Sequence, residues 1–287
     1  MSDDLRLAVA TDAETLSRIR APLAERGIHA EHVPTSSRTL RLDADLGAFD
    51  VGFVYPSRLM EGGVADAMLA VPWVNDREAV LRSRNKAGAL ARLARAGVPT
   101  PRSTLVSNPV DESALRTAFQ RFDPPVVVKP NSTTRGTGIA KVSDLDSFLG
   151  VADYLDLVHD YRATGDRSYL LQEFLAEARD YRVMTVDGEY VGAVERRLPA
   201  DALAEGRWKH NVHRGAEATG VSLDADLRRL AEQAADALGV DWLGVDLLVT
   251  DERAVVTETN ARPTVDTATK YESGFYDRLA ALIRSRA

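Results

Sequence analysis

The chain has 287 residues, a formal net charge of −7, 45% hydrophobic and 28% charged residues, and no cysteine. Two domains, or one with subdomains, can be built from this length around a sizeable core. The lack of cysteine excludes disulfides, thiolate zinc sites and thiol nucleophiles. The acidic balance argues against a nucleic-acid partner, and no apolar run approaches the length of a membrane span. The start, MSDDLRLAVA, is acidic and leads straight into a strand, unlike a signal peptide, so the cytoplasm is the expected location. Basic residues are almost all arginine: the lysines are only Lys86, Lys129, Lys141, Lys209 and Lys270. In so lysine-poor a chain, a lysine among phosphate-binding signals stands out.

In chain order, the first 75 residues carry an α/β pattern: a strand over residues 5–10, a helix over 14–26, then strands in DVGFVY (50–55) and VPWVN (71–75). No G-x-G-x-x-G follows the first strand, which disfavours a dinucleotide-binding Rossmann domain. Asn75, with Glu78 three residues on, resembles a capping box opening a helix. Asn85 is the expected N-cap of a second helix that runs from Lys86 and stops at Gly97, with VPTP as a rigid exit. A helix over 112–121, a strand in PVVVKP (125–130), a loop NSTTRGTG, a helix from Ser143 and a strand over 169–175 follow. Asp187-Gly188 is a type I′ turn signal inside a hairpin over 180–197. A polar stretch (204–216), a helix over 224–238, a hairpin formed by residues 242–250 and 254–260, and a helix over 276–286 complete the pattern.

Three places carry chemistry. Lys129 ends a strand and is followed by a hydroxyl-rich loop with Gly136 and Gly138, which can wrap backbone N–H groups around phosphates. The lysine precedes the glycines, so this is not a Walker A loop, and Lys141 stands where a dinucleotide fingerprint needs its third glycine. On the residues alone, a plain surface loop fits equally well. In the second place, Val186 opposite Glu189 puts Asp180, Arg182, Ala193 and Glu195 on one face. Arg182 then either pairs with Asp180 or Glu195, or meets an anionic substrate or γ-phosphate. The nearby His210 and His213 have H-x-x-H spacing but no helical context, which disfavours zinc. The third place is the last hairpin. A three-residue loop, Asp251 to Arg253, would pair Thr250 with Ala254, Leu248 with Val256 and Asp246 with Glu258. Opposed carboxylates, with Cβ atoms about 4.5–5.5 Å apart, destabilise a sheet. A magnesium ion removes the repulsion, and Asn260, next along the same face, can add an amide oxygen. The alternative is a structural ion pair with Arg262 or Lys209.

The order of these elements resembles the ATP-grasp superfamily, and within it RimK-type amino-acid ligases: a lysine at a capped helix start, a lysine with a glycine loop, Gln-Glu-Phe-Leu, Asp-x-Arg, Asn-x-His-Arg-Gly, then Asp and Glu-x-Asn. The resemblance runs from about Asn75 to Asp266. It implies an α/β (α+β) chain with an N-terminal pre-ATP-grasp α/β domain over residues 1–83 and an ATP-grasp domain over 84–287, in lobes of about 84–174 and 175–287. By position it implies that Lys86 and Lys129 hold nucleotide phosphates under a loop of Thr134, Gly136 and Gly138. Glu173 and Phe174 would lie beside the adenine, Asp180 at the ribose, and Lys209, His210 and Asn211 along the triphosphate. Arg214 belongs to the His-Arg-Gly element and joins Arg182 as a catalytic candidate. Asp246, Glu258 and Asn260 match the metal ligands.

The resemblance further implies an enzyme that uses ATP and magnesium or manganese, as two ions, to join a carboxylate acceptor to an amine through an acyl phosphate. The added group is glutamate or another amino acid, and the acceptor is a protein, peptide or cofactor carboxylate. Thr133 stands where such ligases usually carry another glycine. Arg262 and Thr264, in NARPTVDTATKYESG, replace the usual N-A-S-P-G at the position where specificity would be set. A small-molecule kinase and a non-catalytic nucleotide-binding protein are the alternatives. No nucleic-acid or membrane partner is expected, and homo-oligomerisation stays open.

Overall fold

Leu5, Leu7, Ala8 and Val9, with Val51 and Phe53, are buried as in strands covered on both faces. In the computed structural model, which describes residues 4–11, 14–133, 136–158, 166–212 and 215–287, they form β1 (Leu5–Val9) and β3 (Val51–Phe53). With β2 (Ile28–His32) and β4 (Trp73–Val74) these make a parallel sheet of order β2-β1-β3-β4. Helix α1 (Glu14–Ala24) packs against it, and α2 (Leu59–Leu69) links β3 to β4.

Two helices follow, α3 (Arg77–Arg84) and α4 (Lys86–Arg95). Asn85 caps α4 as expected, its side-chain oxygen accepting from Gly88 N at 2.9 Å, and Gly97 follows with φ +76°. The start of α3 differs from the expectation. Its cap is Asp76, which accepts from Ala79 N at 2.7 Å. Asn75 is instead buried as a bridge: its amide nitrogen donates to the carbonyls of Trp242 (2.5 Å) and Ala261 (2.7 Å), and its oxygen accepts from Trp242 N (3.0 Å).

The central sheet is antiparallel, with β5 (Ser103–Ser107), β6 (Val126–Pro130), β7 (Ala140–Val142) and β8 (Ser168–Glu173) in the order β5-β8-β6-β7. Helices α5 (Glu112–Phe119) and α6 (Leu145–Val158) cover it, with the Phe119 and Phe148 rings stacked at 5.4 Å. The third sheet is antiparallel with order β11-β10-β9-β12-β13. Its strands are β9 (Arg179–Val186), β10 (Glu189–Arg197), β11 (Glu217–Val221), β12 (Trp242–Val249) and β13 (Ala254–Asn260). A short helix α7 (Ala200–Ala204) follows β10, and α8 (Ala225–Leu238) lies between β11 and β12. One face of this sheet, through Tyr181, Val183, Leu243, Val245 and Leu247, shares a core with α4 and α8. On the other face, Met184, Val186 and Trp242 join β1, α1 and the last helix, α9 (Phe275–Arg284). The 187–188 turn is left-handed at both residues (φ +52° and +78°), as a type I′ hairpin requires.

The sequence patterns miss β2, β5, β7, β11, α2 and α7. Most are short, and α2, LMEGGVADAML, has apolar residues all round and two glycines in place of a one-sided stripe. Asn75→Ala removes three hydrogen bonds and strands two carbonyls and an N–H in the core. We expect it to lower unfolding free energy by about 3 kcal/mol, read as an earlier urea midpoint with an unchanged m-value.

Candidate active site

The site is built from one register row. β12 lies between β9 and β13, and Asp246 stands opposite Arg182 on one side and Glu258 on the other. The opposition of Asp246 and Glu258 is as the sequence predicts, but the hairpin reaches it differently. Val249 pairs with Ala254 and Leu248 with Val255, so the connection is Thr250 to Arg253, one residue longer than expected. That would slip the carboxylates out of register. A bulge at Thr257, whose hydroxyl donates to the Asp246 carbonyl at 3.2 Å, takes up the extra residue.

Arg182 pairs with neither Asp180 nor Glu195. Its Nε and Nη2 donate to the two oxygens of Asp246, each at 2.7 Å, a bidentate fork. A bulge between Tyr190 and Gly192 shifts β10 by one residue, so Val194 opposes Arg182 and Arg196 opposes Asp180. Arg196 Nε donates to Asp180 Oδ1 at 2.8 Å, and its Nη2 also reaches Asp246 Oδ2 at 3.3 Å. Glu195 pairs with Arg197 instead. Burial alone would raise the Asp246 carboxyl, but Arg182 and Arg196 outweigh it and hold Asp246 down at about 2. Asp180, by contrast, is pushed up by its burial, against the pull of Arg196. Its carboxylate is an ion-pair partner in this network, with His210 Nδ1 3.7 Å away.

On the phosphate side, Lys86 opens α4, is buried, and points its Nζ both at the Thr133 carbonyl and at Glu258 Oε1, 3.5 Å away. Asn131 stitches the loop to the same helix end, accepting from Ala87 N at 2.9 Å and donating to Asn85 Oδ1 at 3.1 Å. Lys129 Nζ donates to Gln172 Oε1 at 2.6 Å, and burial lowers its pKa below the ordinary lysine value. Gly136 and Gly138 have φ of +65° and +74°, and a Cβ on Gly136 would sit 2.7 Å from Asn211 Oδ1. The 209–211 stretch therefore lies over the glycine loop, and Lys209 Nζ bonds the Ile139 carbonyl. Arg262 Nε bonds the Tyr55 carbonyl, while Asn260 Oδ1 accepts from Arg262 N at 2.9 Å. Among the described residues, Arg182, Arg196 and Lys86 are cations that form ion pairs with the two carboxylates.

Glu173 Oε1 accepts from Arg102 N (2.7 Å) and Arg253 Nη2 (2.8 Å), fixing the end of β8. Phe174 meets the edge of Trp208, and Lys141 Nζ lies 4.7 Å and 5.5 Å from the two ring centroids. Sequence reasoning did not single out Trp208, Gln172 or Arg196. The first two flank named candidates, but Arg196 reaches the site only through the bulge in β10. Thr134, His213 and Arg214 lie outside the described residues.

Residues 83–277 match the model of the RimK-like ATP-grasp domain. The chain belongs to this family. A probable alpha-L-glutamate ligase of Klebsiella pneumoniae (strain 342) is 33% identical over 199 residues, covering 66% of this chain and 59% of that protein. The ribosomal protein bS6–L-glutamate ligase of Escherichia coli O139:H28 is 32% identical over 199 residues, with the same coverage of 66% and 59%. The RimK-like chain thus spans about 59% of the length of these curated relatives. Its ATP-grasp fold is shared with a RimK domain protein from Sphaerobacter thermophilus DSM 20745, at a TM-score of 0.67, 22% identity and 98% coverage of both chains. No helix among the described residues is long and apolar enough to cross a membrane.

ATP-grasp ligases in general use ATP and magnesium, and the donors present here suit that ion. Asp246, Glu258 and Asn260 offer hard oxygens on one face of neighbouring strands. Among the described residues, no cluster of three or more acidic, histidine or cysteine side chains exists to form an all-protein metal cage. Magnesium held by one or two carboxylates with substrate phosphates and water needs none.

The electrostatics of this RimK-like site set an acid limb. With Arg182 and Arg196 holding its carboxyl at about 2, below the ordinary aspartate range, Asp246 contributes stability that is present above that range and fades as pH falls toward 2. In metal-free buffer, Asp246→Asn should be less stable at neutral pH and should show a shallower loss of stability over that acid window. Equal acid slopes in thermal melts would contradict the ion-pair reading.

Proposed function

We propose that this RimK-like protein is an ATP-dependent carboxylate–amine ligase that forms an amide bond through an acyl phosphate. Its parts would be an N-terminal unit over 1–83 and an ATP-grasp domain over 84–287, with lobes meeting near residue 174. The reading rests on one contact above all: Lys86 Nζ touches both the loop carbonyl of Thr133 and, at 3.5 Å, the Glu258 carboxylate. A single buried cation joins the glycine loop to the carboxylate hairpin, as a shared triphosphate site requires.

Lys86, which is buried, and Lys129, which is half-buried, bind and orient the phosphates, and reduced solvent screening strengthens each contact. Arg182, with Arg214 from the His-Arg-Gly element, offsets negative charge as the γ-phosphoryl group transfers. The acceptor carboxylate attacks the γ-phosphorus and ADP leaves; the amine then attacks the acyl carbon and phosphate leaves. No side-chain nucleophile is needed, in keeping with a chain that has no cysteine. Divalent cations held by Asp246, Glu258 and Asn260, two in this reading, would neutralise phosphate oxygens as Lewis acids. Phe174, Trp208 and Lys141 suit the adenine end. The relatives' names suggest an amino acid such as glutamate as the amine and a protein as the acceptor. Arg262 and Thr264 would adjust that choice, and a cytoplasmic ATP supply fits the reaction.

Two experiments check this. ADP release, screened over amino acids crossed with carboxylate acceptors, should require an acceptor, and hydroxylamine in place of the amine should give a hydroxamate. ADP with a stable phosphate ester and no hydroxamate would replace the ligase by a kinase. In the second experiment, Lys86→Ala and Lys129→Ala should each weaken ATP binding by roughly tenfold or more, the worth of a hydrogen bond to a charged group, in calorimetric titrations. Lys270→Ala, whose Nζ pairs with Asp266 at 2.9 Å, should bind as the parent does.

A further inference from the structure

We propose that Arg182 is a stand-in cation: in the nucleotide-free protein it holds the Asp246 carboxylate, and a divalent cation arriving with nucleotide displaces it while Arg196 keeps Asp246 in place. This rests on the metal role given to Asp246 and Glu258 above.

The two arginines on Asp246 are unequal. Arg196 is 9% exposed, like Asp246 itself, and is fixed by a second carboxylate, Asp180. Arg182 is 32% exposed and Glu258 29%, so the two members of the row that flank the buried Asp246 are the ones open to solvent. The guanidinium fork of Arg182 takes both oxygens of Asp246 at 2.7 Å. A divalent cation reaching Glu258 from solvent meets Asp246 across that fork, and it meets a like charge. Binding therefore exchanges one cation for another. The exchange leaves Asp246 paired at every stage, because a buried carboxylate stripped of its partner is costly. It also releases a planar, bidentate donor beside the incoming phosphates, which is the geometry a guanidinium recognises best. Arg182 would then be a phosphate ligand only once metal is bound, and Arg196 a positioning residue that acts through Asp246.

The test measures binding of Mn²⁺ alone, without nucleotide, to the full chain by the loss of the free-ion electron paramagnetic resonance signal. Arg182→Gln should bind Mn²⁺ about tenfold or more tightly than the parent, since the competing charge is gone. Arg182→Lys keeps the charge but not the fork and should fall between them, and it serves if the glutamine variant does not fold. Arg197→Gln removes a charge from the same sheet at a side chain that is 72% exposed and paired with Glu195, so it controls for general electrostatics. Adding Asp246→Asn to Arg182→Gln should erase the gain. No gain from Arg182→Gln, or a gain equal to that of Arg197→Gln, would overturn the exchange. If Asp246→Asn leaves Mn²⁺ affinity unchanged in both backgrounds, the metal role itself falls, and the exchange falls with it.

Discussion

Asp246 is a buried carboxylate placed directly across a strand pair from a second carboxylate, and the rest of the site is arranged around that repulsion. Only cations can make the placement tolerable, and each must come from a different element. β9 supplies Arg182, β10 supplies Arg196, and the first residue of α4 supplies Lys86 to the Glu258 side. The strand order β10-β9-β12-β13 is thus an electrostatic requirement as well as a topological one. Lys86 carries the requirement outward. Its bond to Thr133 ties the charge row to the glycine loop, and Asn131 ties that loop to the cap of α4.

Two β-bulges decide which charges face the site. Without the shift near Gly192, the residue opposite Asp180 would be Glu195, and the row would gain a carboxylate in place of Arg196. Without the shift at Thr257, Glu258 would not face Asp246. Bulges re-aim side chains at the cost of a ladder bond, and here one residue of phase sets the sign of the local field. At the first bulge Gly192 has no room for a side chain, since a Cβ would come within 2.5 Å of the Lys270 carbonyl.

This explains what was legible in the sequence. Local signals read well: the Asn85 cap, the type I′ turn at 187–188, the opposed carboxylates, and the apolar strands flanking them. The carboxylate pair was legible because the two strands are joined by a short turn, and the extra turn residue is cancelled by the bulge at Thr257. Arg182 was legible as a candidate but its partner was not, because β9 and β12 are separated by more than fifty residues and their pairing leaves no local trace. Arg196 was hidden by the bulge. Asn75 looked like a helix cap because its neighbour Asp76 is one; its actual bonds lie at Trp242 and Ala261, far along the chain. Short strands such as β2 and β7 carry too few alternating residues to stand out.

The last helix has a consequence for how the chain is made. α9 lies in one core with β1, α1 and β3, so strands far apart from it in the chain share their burial with Phe275, Leu279 and Ile283. Contacts of such long sequence separation form late, because the loop-closure entropy must be met first. The parallel sheet of residues 5–74 therefore keeps an apolar face uncovered until that late contact forms, while the central sheet and its own helices, which share a core of nearby residues, can already close. Surface left open for that long is where chaperones bind and where unfinished chains aggregate. The N-terminal sheet, which folds around its own chain's last helix, is the part of this protein whose biogenesis is most exposed to delay.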